Sequence, residues 1–137
     1  MANIFDIAGS AMAAQSQRLN LVASNMANAN STSGPDGQAY RAKYPVFSTL
    51  VADARSSNSP QAVGVRVSAV AEYQSPLPLR YDPGHPHADT AGYVEMSNVN
   101  MIAEMANMMS ASRSYQSNIE TMNTSKQLML RTLQIGR

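Results

Sequence analysis

Residues 101–133 read MIAEMANMMSASRSYQSNIETMNTSKQLMLRTL, and their spacing decides the fold. Met101, Met105, Met108, Ser112, Tyr115, Ile119, Met122, Lys126, Met129 and Leu133 follow one another at alternating intervals of four and three. Eight of these ten are apolar or aromatic, so the run predicts one face of an α-helix with the pattern of a coiled-coil seam. Asn98 or Asn100 can cap its start, and Gly136 closes it. Glu104 lies near the beginning and Lys126 and Arg131 near the end, as the helix dipole favours. About 35 residues at 1.5 Å each make a rod of roughly 50 Å.

The other end of the chain repeats the pattern. Phe5, Ala8, Met12, Gln15, Leu19, Val22, Met26 and Ala29 again alternate three and four, and only Gln15 is not apolar. The run Asn30-Ser-Thr-Ser-Gly34-Pro35-Asp36-Gly37 has turn chemistry and is expected to end this helix.

Between the two stripes the composition changes. All seven prolines lie from Pro35 to Pro86, and proline is the residue that helices reject most strongly. Ala62 to Tyr73 alternates as a strand, with Val70 the misfit. Arg41 to Val51 is a weaker strand interrupted by Pro45, and Leu77 to Tyr81 suits an edge strand. Residues 54–61 read as a polar loop. The predicted organisation is a helical end over 1–34, a β-rich or irregular insert over 35–97 and a helical end over 98–137. The two ends form one helical unit, giving an α+β fold that is mainly α.

Composition bounds the partners. The 137 residues suit one compact domain, and a net charge of +1 gives no reason to expect nucleic acid. The absence of cysteine excludes disulfide frameworks and Cys-based zinc sites. No stretch has the ~20 apolar residues of a membrane span, so direct membrane insertion is not expected. The opening Met-Ala-Asn has no basic run, which predicts that any export proceeds without a cleaved signal peptide. Charged residues make up 14% of the chain, against roughly 25% in an ordinary domain. Asp6 and Arg18 are the sole charged side chains in the first 35 residues, so this surface is expected to be covered by other protein.

One cluster looks catalytic: Asp82-Pro-Gly-His85-Pro-His87-Ala-Asp89. Two histidines and two carboxylates could hold a divalent metal. Asp-Pro-Gly is equally ordinary turn chemistry, and no third histidine exists. The cluster is therefore read as a turn, and no catalytic, metal or cofactor site is expected. The methionine-rich stripe is read as a packing surface, since methionine fits irregular apolar faces.

Several segments resemble the flagellar rod and hook axial family. Ser24-Asn25-Met-Ala-Asn28-Ala-Asn30 is similar to its N-terminal signature. Gly34-Pro35-Asp36-Gly37, followed by Tyr40-Arg41, resembles the turn of its proximal-rod members. Gly92-Tyr93-Val94, Asn98-Val-Asn100 and Ser112-Arg-Ser-Tyr115-Gln-Ser-Asn118 resemble their second half. Ser97 and Asp89-Thr90-Ala91 depart from the usual residues at the entry to the second helix. The resemblance implies paired terminal helices around a small β-containing insert. It implies a non-enzymatic subunit of the basal-body rod in the periplasmic space, carried there by the flagellar type III export apparatus. Its implied partners are further copies of the chain, other rod proteins and the adaptor at the membrane ring. Another axial subunit, a secreted helical interaction module and a metal hydrolase are the alternatives.

Overall fold

The computed structural model describes residues 4–34, 37–51 and 62–136. Pro35, Asp36 and the polar loop over 54–61 lie outside the described residues. In chain order the elements are α1 (Ile4–Ala27), β1 (Lys43–Val51), β2 (Ala62–Glu72), β3 (Leu79–Tyr81), β4 (Tyr93–Glu95) and α2 (Met101–Ile135).

α2 begins where its cap places it. Asn100 has extended backbone, and its Oδ1 accepts from the amides of Ile102 and Ala103, each at 3.1 Å. Two of the four amides that a helix start leaves unbonded are thereby satisfied. The helix then runs 35 residues to Gly136, whose amide donates to the Thr132 carbonyl at 3.2 Å. α1 ends three residues before the expected turn run. Asn28 closes it by donating from its side chain to the Ser24 carbonyl at 2.8 Å.

Arg18 bonds Asn107 and Asn25 bonds Glu104, so a step up α1 is a step down α2 and the helices pair antiparallel. Ala8, Ala14 and Val22 on α1 and Ala111 on α2 are buried, Ala111 at 0% exposure. Small side chains at these points let the two backbones approach closely. Inside the seam, Gln15 Oε1 is buried without a hydrogen-bond partner.

β1 and β2 form an antiparallel hairpin packed against α1. Val46 opposes Ala69 while Phe47 opposes Val67, which leaves Ser68 as an extra residue in β2. This bulge interrupts the ladder beside Val70, the residue that departs from the alternation, and Val70 stays exposed. Pro45 sits inside β1, where the sequence pattern implied an interruption. β1 pairs on one side only, so the missing proline N–H is tolerated there.

β3 and β4 form a second, smaller pair. The Ser31–Ser33 segment, expected as turn, lies beside β4 instead. The Ser33 amide donates to the Glu95 carbonyl at 2.9 Å, the Ser97 amide donates to the Ser31 carbonyl at 3.1 Å, and Thr32 bridges Met96. Val94, at the middle of β4, is 1% exposed.

Candidate functional site

Asn25 is the junction of the molecule. It is 1% exposed and uses its full hydrogen-bonding capacity. Its amide nitrogen donates to the Lys43 carbonyl at 2.8 Å and to Glu104 Oε2 at 3.1 Å. Its Oδ1 accepts from the Tyr40 hydroxyl and the Lys43 amide, both at 2.9 Å. One side chain therefore ties α1 to α2, to β1 and to the segment leading into β1. A buried amide satisfied at all four positions fixes an arrangement, because any shift leaves polar groups unpaired.

Asn98 performs the same task at the entrance to α2. Its Oδ1 accepts from the Ala42 amide at 2.8 Å, and its amide nitrogen donates to the Tyr73 carbonyl at 3.0 Å. It also reaches the Ser75 hydroxyl at 3.1 Å. Arg41 donates to the Ser75 carbonyl at 3.2 Å from the other side. The segments before β1, after β2 and before α2 are thus drawn together.

The remaining motif residues hold turns. The Gly37 amide donates to the Gly34 carbonyl at 3.0 Å. Gly92 has φ +84, and a Cβ there would meet the Tyr81 ring at 3.0 Å, so only glycine fits. Tyr93 stacks edge-on against Tyr81 with centroids 5.3 Å apart. Asn30 is exposed beyond the end of α1.

The Asp82–Asp89 segment is built as a turn. Asp89 Oδ1 accepts from the amides of Ala91 and Tyr93, each at 2.8 Å. His85 accepts at Nδ1 from the His87 amide at 3.2 Å, and its Nε2 lies 3.3 Å from the Thr32 hydroxyl. Asp82 pairs with Arg80 at 3.1 Å. These side chains hold the turn and join it to Thr32 and Arg80, and among the described residues no three of them converge on a shared point.

The stripe residues divide into two sets. On α1, Ala8 and Val22 are buried and Phe5, Met12, Leu19 and Met26 are half-buried, all at expected seam positions. On α2 the covered side runs Glu104, Met108, Ala111, Tyr115, Asn118, Met122 and Ser125. It shares Met108, Tyr115 and Met122 with the expected stripe, and Met101 is half-buried beside it. Its other members sit one residue earlier than expected. Met105, Ile119, Met129 and Leu133 are exposed in the single chain, Ile119 at 37%. The displacement has a physical cause. Ala111 permits close approach, and Glu104 and Asn107 find partners in Asn25 and Arg18, the latter bond being 3.1 Å. The bulkier apolar side chains stay outside.

Three partners are not legible from the sequence: Tyr40 carries only a motif there, Glu104 only a place in the first turn of α2, and Ser10 no signal at all. Ser10 Oγ accepts from the Val65 amide at 3.1 Å and anchors the hairpin on α1.

Comparison with known proteins places the chain among rod proteins. The family model described as flagella basal body rod protein matches residues 5–35. The model described as flagellar basal body rod FlgEFG protein C-terminal matches residues 90–135. The flagellar basal-body rod protein FlgC of Salmonella typhimurium is 57% identical over 135 residues, covering 98% of this chain and 97% of its own. The FlgC of Escherichia coli O157:H7 is 56% identical, with the same coverage of 98% and 97%. The FlgC of Borreliella burgdorferi is 35% identical, covering 95% and 93%.

Proposed function

The chain belongs to the FlgC family of flagellar basal-body rod proteins, and from that premise we propose that it is a structural subunit of the proximal rod. In that role it polymerises into the drive shaft that carries motor torque to hook and filament. It is a structural protein and not an enzyme. The observation that carries the reading is the end-to-end match, 57% identical over 98% of the chain, which spans both helices and the insert between them.

The physical character of the chain supports a shaft subunit. Torque strains a subunit in shear, and shear is resisted where elements are pinned to one another. Asn25 and Asn98 pin the helices, the hairpin and their connections by directional bonds rather than by apolar contact alone. Apolar side chains left outside on α2 supply surface for neighbours. A helical polymer uses different patches on its two contacting members, so no pair of copies closes on itself.

The partners of this reading are further copies of the chain, other rod proteins, the adaptor at the membrane ring and the flagellar type III export apparatus. The assembled position is the basal body within the periplasmic space. A strain lacking the chain tests the function. It should not swim, electron micrographs should show no hooks or filaments, and supplying the chain should restore both. Swimming cells without the chain sink the reading.

A further inference from the structure

Sulfur chemistry in this chain belongs to methionine, because there are ten methionines and no cysteine. The fold divides them by environment. Met12 and Met26 on α1 and Met108 and Met122 on α2 are half-buried at the seam between the helices. Met105 and Met109 are exposed, at 49% and 65%. With Ile102, exposed at 80%, they follow one another at intervals of three and four and so share one side of α2. At ~100° per residue Ile102 lies opposite the buried Ala111, so this side faces away from α1. Exposed Arg113 and Glu120 take over the same side further along, which confines the apolar patch to the first turns. Met129 is also exposed, but it stands far along the helix with no methionine beside it.

Covering decides what an oxidant does here. A thioether sulfur carries a lone pair that attacks a peroxide oxygen. The S–O bond forms as the O–O bond breaks, the sulfur loses two electrons to the peroxide, and the rest of the hydrogen peroxide leaves as water. No bond of the chain is cut. The product, methionine sulfoxide, is polar and is returned to methionine by reduction. At Met105 and Met109 the added oxygen stands in water and is hydrated there. At Met108 or Met122 it would enter the seam, where a polar atom without a partner is costly. The seam already holds one such atom, Gln15 Oε1.

We propose that Met105 and Met109 form a reversible, fold-sparing oxidation site of the free subunit, with peroxides as the oxidant class. Oxidation turns the exposed side at the start of α2 from apolar to polar while the helix pair keeps its structure. Met108 is three residues from Met105 and next to Met109, yet it lies on the covered side. Selectivity is thus set by the side of α2 and not by place in the sequence. The site is a property of the single chain, whatever that chain assembles with.

The monomeric full chain would be treated with hydrogen peroxide, quenched at intervals, digested and read by tandem mass spectrometry. Met105 and Met109 should reach half-conversion at least threefold sooner than Met108 and Met122, and methionine sulfoxide reductase with its reductant should restore both. Conversion of Met108 or Met122 at the rate of the exposed pair would overturn the site, as would sulfoxides at the pair that the reductase cannot remove. Retention of the fold is read separately with glutamine, whose unbranched polar side chain stands in for the sulfoxide. Met105→Gln together with Met109→Gln should leave the urea midpoint where the wild type has it. Met108→Gln together with Met122→Gln should lower that midpoint. Equal midpoints for the two double variants, or a lowered one for the exposed pair, would overturn the fold-sparing character of the site.

Discussion

The side-chain amide of Asn25 on α1 donates to Glu104 Oε2 on α2 at 3.1 Å, joining the two terminal helices by a bond between residues 79 positions apart. Glu104 also lies 3.5 Å from the Asn107 side-chain amide, and Asn107 in turn accepts from Arg18 at 3.1 Å. The helix pair is therefore fixed by a polar chain where the later part of α1 meets the first two turns of α2. Alanine seams alone permit sliding, because one small apolar residue resembles the next.

Replacement of Asn25 tests this clamp. Asn25→Ala leaves the Lys43 carbonyl and amide without a partner in a closed site and leaves the Tyr40 hydroxyl only its 3.3 Å contact with Ser24 Oγ. Each unsatisfied buried group costs about 1–3 kcal/mol, so a loss of roughly 3 kcal/mol is expected in urea unfolding of the purified chain. Asn25→Asp should be worse at neutral pH, since it brings a second carboxylate against Glu104 and removes both donors. Equal stability of the wild type and Asn25→Ala would show that the clamp contributes nothing.

The hairpin is seated by a close contact between Gly64 and Ser10. A Cβ at position 64 would lie 2.5 Å from Ser10 Oγ and 3.2 Å from Ser10 Cβ. Gly64→Ala must therefore displace the hydroxyl that accepts from the Val65 amide and donates to the Ile7 carbonyl. A destabilisation of about 1–2 kcal/mol is expected, in the range of overpacking and of a lost hydrogen bond. Ser10→Ala combined with Gly64→Ala should cost less than the two single losses added, and strict additivity in the double-mutant cycle would remove the contact from the explanation.

The sequence disclosed the elements better than their faces. The boundaries of α2 were legible because Asn100 and Gly136 bracket an uninterrupted heptad repeat. β2 was legible from its valine alternation. The covered side of α2 was not, because Met105 and Ile119 dominate a hydrophobic pattern while the fold turns on how closely two backbones approach. That distance is set by Ala111 and by polar pairs whose members lie on different elements. Asn25 sits beside the α1 stripe rather than in it, so its central place shows only when Lys43, Tyr40 and Glu104 are brought around it. β4 is three residues long, too short for any period, and Ser31–Ser33 carries turn residues that the β4 edge recruits into pairing.

The cap of α2 should have a local signature. Asn100→Ala removes the acceptor for the Ile102 and Ala103 amides and should lower stability by about 1 kcal/mol. Hydrogen exchange should accelerate at those two amides first, with the centre of α2 around Ala111 little changed. A uniform acceleration along the helix would mean that the cap supports the whole pairing and not the first turn.

The last prediction separates folding from assembly. Val22 is buried in the chain at 4% exposure, whereas Ile119, on the opposite helix, is 37% exposed. Val22→Asp places a carboxylate in the seam, where the nearby cations Arg18 and Lys43 are already held by Asn107 and Glu72. An unpaired buried charge costs several kcal/mol even after relaxation, comparable with the whole stability of a small domain at roughly 5–15 kcal/mol. The purified Val22→Asp chain should therefore show lost or weakened cooperative unfolding, and cells carrying it should not swim. Ile119→Asp leaves its carboxylate in water in the isolated chain, so the purified subunit should unfold within about 0.5 kcal/mol of the wild type. On the proposed reading the same residue faces a neighbour in the rod, so burial of the charge should again abolish swimming. Gln17→Asp, on an exposed position of α1, is the control and should swim. The informative case is Ile119→Asp. If it folds normally and still builds rods, the outer side of α2 is not an assembly surface. If it fails to fold, the side of α2 that meets α1 is wrongly assigned.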